Sequence, residues 1–290
     1  MNPVVSTYIV QGIYGITYGM ILFLIASGLN IIFGMMGILN MAHAAFLMLA
    51  GYFCYQVVQI TGNFWMGLIF APILVAVLGV LMEQLFLRRV LGSHVGELIL
   101  TMGIANVIVA GIKKIWGTES LPLQMPDLLS GMVSIAGMGY PVYRLFVIGL
   151  ALAVMLFMML LLYRTRLGKV VRAAVSDREM VNALGININL VSMLVFGVGT
   201  WMAGLAGVVI APILTVFPGL ADQVGMDAFI VVVTGGFGSL QGAFIVSIIF
   251  GLLSSYGVQF VSQFAPVLIV VFMAIVLVFR PNGLFGAKER

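Results

Sequence analysis

MNPVVSTYIVQGIYGITYGMILFLIASGLNIIFGMMGILNMAHAAFLMLAGYFCYQVVQITGNFWMGLIFAPILVAVLGVLM, residues 1–82, contains no Asp, Glu, Lys or Arg, and the first charged side chain is Glu83. A bilayer core takes about 20 apolar residues per helix, so this stretch has room for three spans and short connections. The remainder continues the pattern: of 290 residues, 63% are hydrophobic and 8% charged, with a mean hydropathy of +1.23. Soluble domains run near a quarter charged, and thirteen basic plus nine acidic side chains cannot solvate a globule of this size. The sequence therefore reads as an integral membrane protein. MNPVVSTYIV lacks the positive region that precedes a cleaved signal, so the first apolar segment is expected to stay in the membrane. Cys54 is the single cysteine and lies in an apolar run, which excludes an intrachain disulfide and a cysteine metal cluster. The net charge of +4 belongs to loops and does not argue for nucleic acid.

Apolar runs between charge and turn clusters predict spans near 10–33, 42–60, 65–87, 96–116, 143–163, 191–214 and 263–279, with a glycine-interrupted apolar region at 228–260. Strands of a membrane barrel would be about ten residues of alternating polarity, so the spans are helical. The expectation is an all-α polytopic membrane protein of about eight segments, one transmembrane domain over residues 1–290. Arg88, Arg89, Arg164, Arg166, Lys169, Arg172, Arg178, Arg280, Lys288 and Arg290 follow the third, fifth and last spans and should be cytoplasmic by the positive-inside rule. Lys113, Lys114 and Arg144 then dissent, at an outer face shared with Glu119, Asp127, Asp222 and Asp227. This orientation puts the N-terminus outside and the C-terminus inside. It also requires residues 228–260 to cross an even number of times, as a re-entrant or broken pair turning at Gly235, Gly236, Gly238 and Gly242. Such irregular backbone must be enclosed by protein or line a water-filled cavity. The alternative is one continuous helix with packing glycines, which would put the C-terminus outside.

The one long polar stretch on the predicted inside is the loop at about 164–190. Ser176 followed by Glu179 fits a capping box, and Gly185 offers a stop, so a two-turn helix is expected with Met180, Val181 and Leu184 on one side. A capped helix this short can dock a soluble partner or lie on lipid headgroups.

Intramembrane polar groups are costly unless they face protein or water. Asn30, Asn40, His43, Asn106 and Thr234 qualify, each with interhelical hydrogen bonding as the plainer alternative. Asn40 and His43 share one face beside the bend Gly34–Gly37. His43 and His94 sit in different segments with no cysteine beside either, so no metal site is expected. Glu83, Glu97, Asp222 and Asp227 sit at predicted interfaces without a paired nucleophile, so no catalytic residue is expected. No GxxxxGK[ST] phosphate loop is present.

Five segments in order then carry a resemblance: Ile38–His43 (ILNMAH) with Met48–Tyr52 (MLAGY), Leu98–Gly103 (LILTMG) with Trp116-Gly117, Lys169–Gly185, Ala228–Ser239 (AFIVVVTGGFGS) with Gly242-Ala243, and Phe279–Gly286 (FRPNGLFG). Together they resemble the LivH-like permease subunits of branched-chain amino-acid ABC importers, over nearly the whole chain. Departures fall at Ala44 and Ala45 after the signature His, at Ile245, Val246 and Ser247 in place of glycines, and at Ser254 and Ser255 where an acidic residue is often found. The resemblance implies a translocation subunit in an inner membrane, working with a second related permease, two ATP-binding subunits that hold ATP and Mg, and an extracytoplasmic binding protein. No cofactor is expected on this chain. Arg172, Ala174, Ser176, Asp177, Glu179, Ala183 and Gly185 would form the contact with the ATPase, and Asn40, His43, Asn106 and Thr234 the translocation path. The implied cargo is branched-chain or other hydrophobic amino acids. Alternatives are urea, short amides or small aromatic acids within the family, and, in a different class, an ion-gradient-driven transporter or a structural membrane partner. The gradient-driven reading wants membrane carboxylates, and residues 1–82 and 180–221 have none.

Overall fold

The structure, a computed structural model, describes residues 3–286. The chain forms α1 (Pro3–Met36), α2 (His43–Thr61), α3 (Phe64–Leu85) and α4 (His94–Trp116). A hairpin of β1 (Met132–Ile135) and β2 (Met138–Pro141) leads into α5 (Val142–Arg164), α6 (Arg166–Ser176), α7 (Arg178–Ala183) and α8 (Ile188–Leu214). The last elements are α9 (Leu220–Gly235), α10 (Leu240–Val261) and α11 (Ala265–Phe279). Among the described residues, seven helical stretches are long and apolar enough to cross a membrane, the last of them Leu240–Phe279. That last stretch folds back on itself at Ser262–Phe264, since Gly257 lies against Ala265 and Leu268. The chain is a multi-pass membrane protein.

α1 is the hub, buried along most of its length against α5, α8, α9 and α10. Antiparallel α10 approaches so closely that a Cβ on Gly19 would sit 2.5 Å from the Ser247 carbonyl oxygen. Where α1 crosses α8, a Cβ on Gly199 would lie 2.7 Å from the Gly28 oxygen. In lipid, such close approach supplies the van der Waals contact that drives association. α1 outruns its predicted span of 10–33, its first turns held to α10 by side-chain bonds that begin with Tyr256 Oη donating to the Tyr8 carbonyl (2.9 Å). Gln11 Nε2 donates to the Ser255 carbonyl (2.8 Å), and Ser255 Oγ donates to the Gln11 carbonyl (2.9 Å).

Two ends can be told apart. Arg88, Arg89 and Arg164 close α3 and α5 at the end where α1 finishes, the arginine-rich end. Glu83, fully buried, accepts from Arg88 Nε (3.0 and 3.2 Å), and Arg88 Nη2 donates to the Asn189 carbonyl. At the far end the Arg144 guanidinium lies 4.4 Å from the centroid of the Tyr14 ring. There the Tyr140 hydroxyl hydrogen-bonds Thr17 (2.7 Å), and burial raises the Tyr140 phenol above its ordinary pKa.

Three sequence expectations need correction. The glycine-interrupted region expected from residue 228 begins earlier, since α9 starts at Leu220 and holds Asp222 and Asp227. Asp222 sits in the first helical turn, where a negative charge meets the positive end of the helix dipole. The loop at 164–190 holds two helices instead of one. Thr165 caps α6 by accepting from the Gly168 amide (3.0 Å), so the helix runs on through Ser176. Asp177, not Ser176, then caps α7, its Oδ1 accepting from the Met180 amide (2.8 Å); the Ser176 side chain lies outside the described residues. Gly185 ends the turn with φ +81, as expected. Of the apolar trio on α7, only Val181 is buried, while Met180 and Leu184 are exposed.

Candidate functional site

The glycine-rich segment is broken between α9 and α10 at residues 236–239. Gly236 (φ +98) and Gly238 (φ +77) occupy left-handed backbone that only glycine adopts readily. Gly235 and Gly242 lie in the flanking helices and touch: a Cβ on Gly235 would be 2.7 Å from the Gly242 carbonyl carbon. Ser239 caps α10, accepting from the Gly242 amide (3.0 Å).

Three further contacts pin this turn. Asn30, buried in α1, reaches it with both ends of its amide: Nδ2 donates to the Ser239 carbonyl (3.0 Å) and Oδ1 accepts from the Gly238 amide (2.9 Å). Phe33 and Phe237 stack with centroids 4.1 Å apart. The C-terminal segment comes back as a short strand-like strap, the Leu284 amide donating to the Thr234 carbonyl (2.9 Å) and the Phe285 amide to the Gly235 carbonyl (3.1 Å).

The turn faces a cleft of about 820 Å³ at the arginine-rich end, bordered by Asn30, Phe33, Tyr163, Arg172, Phe237 and Gln241. Arg172 donates to the Leu162 carbonyl, and its guanidinium lies 5.0 Å from the Tyr163 ring centroid. Ala174, buried, lines the same cleft. The predicted contact loop and the glycine turn, remote in sequence, are thus two walls of one space.

The second polar site is the bend between α1 and α2. Gly37 turns the chain at φ +68, and Asn40 Oδ1 accepts from the Ala42 amide (3.0 Å). The Met41 amide donates to Thr101 Oγ1 on α4 (3.3 Å). α2 therefore begins deep beside the middle of α1, where His43 Nε2 lies 3.1 Å from the Ile25 carbonyl. A carbonyl only accepts, so Nε2 carries the proton. Asn40 and His43 are 3% and 2% exposed. Asn40 Nδ2, His43 Nδ1 and Thr234 Oγ1 have no hydrogen-bond partner among the described residues. Of the four predicted path residues, Asn40 and His43 come together, Thr234 is buried at the end of α9 beside the strap, and Asn106 is exposed on α4.

Asp177, Glu179, Ala183 and Gly185 lie on the surface of the loop at the arginine-rich end. Exposed Val175, Met180 and Leu184 accompany them, an apolar display that a water-facing loop has reason to avoid unless something covers it. Sequence reasoning flagged Asn30 as an intramembrane polar group but gave it no partner, because the turn it grips is more than 200 residues away. It missed the contact of Tyr18 Oη with Asp227 Oδ2 (2.5 Å). The available signal was that Asp227 directly abuts the apolar run AFIVVV.

A bundle of apolar helices, broken at a glycine turn over a cleft shared with a polar loop, defines a multi-pass membrane protein. More narrowly, residues 12–280 match the family described as branched-chain amino acid transport system / permease component, and the chain belongs to that family. It is 27% identical to the high-affinity branched-chain amino acid transport system permease protein BraD of Pseudomonas aeruginosa, covering 99% of this chain and 98% of BraD. It is also 27% identical to LivH of Salmonella typhimurium and to LivH of Escherichia coli, with 97% of each chain covered in both cases. The solved structure "PsaBC from Streptococcus pneumoniae in complex with Fab" superposes with a TM-score of 0.50 at 14% identity, over 92% of this chain and 89% of that one, a likeness of fold alone.

Proposed function

We propose that this chain is the membrane-spanning subunit of an ATP-driven importer for branched-chain or other hydrophobic amino acids. The observation that carries the reading is the family match over residues 12–280. In this reading a second related permease completes the pore, two ATP-binding subunits hold ATP and Mg on the cytoplasmic side, and an extracytoplasmic binding protein delivers the solute. The arginine-rich end and the C-terminus face the cytoplasm of a cell whose inner membrane holds the complex. The ATPase docks on α7 and its flanks, through Asp177, Glu179, Ala183, Gly185 and exposed Met180 and Leu184. Support comes from the cleft: α6 continues from that surface to Arg172 and Ala174, which share the space with Phe237 and Gly238 of the turn. Movement imposed on the loop is then felt where α9 meets α10, biasing a pore with two states. Asn40, His43, Thr234 and the glycine turn act as the bends about which the helices around the path rearrange, and Asn106 meets the partner or lipid.

Uptake of labelled leucine into cells carrying the chain with its partner subunits tests this. Loss on ATP depletion, with ion gradients intact, is the expected result. Loss on gradient collapse with ATP preserved would replace the reading with a secondary transporter, and efficient competition by urea would move the cargo to amides.

A further inference from the structure

The loop at the arginine-rich end carries two chemistries. From Arg164 to Ser176 the chain holds Arg164, Arg166, Lys169 and Arg172 and no acid, and acidic residues begin only at Asp177, with α7. Arg164, Arg166 and Lys169 are exposed, and no ion pair holds them among the described residues. Anionic lipids attract such a cluster, by about 1 kcal/mol for each Lys or Arg near the surface.

Arg172 lines the cleft, its guanidinium 5.0 Å from the centroid of the Tyr163 ring. Tyr163 in turn ends an exposed stripe of α5, following Leu152, Leu156 and Leu160 at helical spacing. An apolar stripe on a membrane helix suits hydrocarbon, and a tyrosine at its end suits the headgroup level. Because Tyr163 also borders the cleft, the cleft opens where the leaflet ends. Its lining runs along α1 from Ser27 to Gly37, about 15 Å of depth at 1.5 Å of rise per residue. Ile31, Met35, Met158 and Leu162 make the walls apolar, and Arg172 is the one charged side chain among the described residues that line them. The ammonium of a zwitterion finds no counterion in this space. A phosphate on an apolar tail finds a cation at the mouth and apolar walls further in.

We propose that the cleft holds an acidic phospholipid of the leaflet at the arginine-rich end, its phosphate on Arg172 beside Tyr163 and an acyl chain between α1 and α5. The exposed cations of α6 draw such lipids to the mouth, and Arg172 selects the charge. A lipid seated there braces α6 against Phe237 and Gly238 of the glycine turn, so the acidic-lipid content of the membrane sets how freely the loop and the turn move. The inference does not depend on which solute is carried.

The test uses the full chain with the subunits that copurify with it. It is offered equal amounts of phosphatidylglycerol and phosphatidylcholine with the same acyl chains, and retained lipid is counted by native mass spectrometry. Wild type should keep phosphatidylglycerol with at least about tenfold preference, the scale of one hydrogen bond to a charged group. Arg172→Gln retains an amide to donate to the Leu162 carbonyl and should lose that preference, whereas Arg172→Lys should keep most of it. Val175→Trp fills the cleft from its exposed rim without altering a charge and should expel the lipid. If Arg172→Gln folds poorly, Val175→Trp decides alone. No preference in wild type overturns the inference. So does a wild-type ratio in folded Arg172→Gln or in Val175→Trp, which would leave the lipid on the outer side of α6. Displacement by excess inorganic phosphate or leucine overturns it as well, since the cleft would then take a free anion from water.

Discussion

Replacing Asn30 with Leu removes both hydrogen bonds to the glycine turn while keeping the forked outline of the side chain. The Ser239 carbonyl keeps its bond from the Ala243 amide, and Gly238 borders the cleft, where water can reach its amide. Neither group is therefore orphaned in a dry interior, and the loss is close to the net value of the bonds, about 1 kcal/mol each. About 2 kcal/mol corresponds to a roughly 30-fold rise in the open fraction of the turn. The strap shares its anchor at Thr234 and Gly235, so the Leu284 and Phe285 amides should lose protection together with the turn. Hydrogen exchange measured by mass spectrometry in nanodiscs, on peptides covering 234–243 and 280–286, reads this directly. Global stability is read in parallel from Cys54, buried between α2 and α3 against Gly67, by thiol-reactive dye during heating. The expected result is exchange about 30-fold faster in both peptides, a thiol-exposure midpoint lower by a few degrees, and leucine uptake reduced more than the stability loss explains. Unchanged exchange at 280–286 with a large fall in the Cys54 midpoint would refute the reasoning, because it would make Asn30 a general packing residue and not the clamp of the turn.

Arg88→Leu leaves the buried Glu83 carboxylate unpaired and should cost about 3–5 kcal/mol, seen as loss of folded protein in membranes; the double variant with Glu83→Gln should regain much of it. Gly199→Ala places a methyl 2.7 Å from the Gly28 carbonyl oxygen and 2.6 Å from Ile32, so α1 and α8 must part; overpacking costs about 1–3 kcal/mol, and a Cys54 midpoint equal to wild type would contradict the crossing. Ala183→Arg adds bulk and charge on the exposed side of α7, and leucine uptake should fall severalfold while the amount of folded permease is unchanged; equal uptake would remove α7 from the ATPase contact. Tyr140→Phe breaks the bond to Thr17 and should destabilise by about 1 kcal/mol, with no pH dependence up to pH 9, since burial raises the phenol pKa and the group stays neutral throughout.

Spans were legible where a run of apolar residues ended at turn chemistry. α2 begins after the Gly37 bend and ends at Gly62, within a residue or two of expectation, because both glycines take positive φ at the boundaries. α9 was not legible at its start, because Asp222 and Asp227 read as charges at the outer face until a helix dipole and a tyrosine partner are seen. The cap of α7 was read one residue early because Ser and Asp are adjacent and both cap well; the choice fell to Asp177 only because α6 runs through Ser176. The β1–β2 hairpin escaped notice since its turn, at Ala136 and Gly137, lacks the usual Asn-Gly signal. The glycines from 235 to 242 stand out in the sequence as a set, whereas the clamp on their turn depends on a tertiary contact that no local pattern encodes.

The strap has a bearing on biogenesis. Leu284 and Phe285 leave the ribosome about fifty residues after Thr234 and Gly235, to which they bond, with all of α10 and α11 between. During synthesis the turn is therefore built open, and it closes only once α11 has come back alongside. A translation product stopped anywhere in α11 carries every helix before it and yet exposes unpaired backbone at membrane depth, the kind of defect a quality-control protease can recognise. The pairing of Leu284 and Phe285 thus acts as a late seal on a bundle whose earlier helices are already inserted.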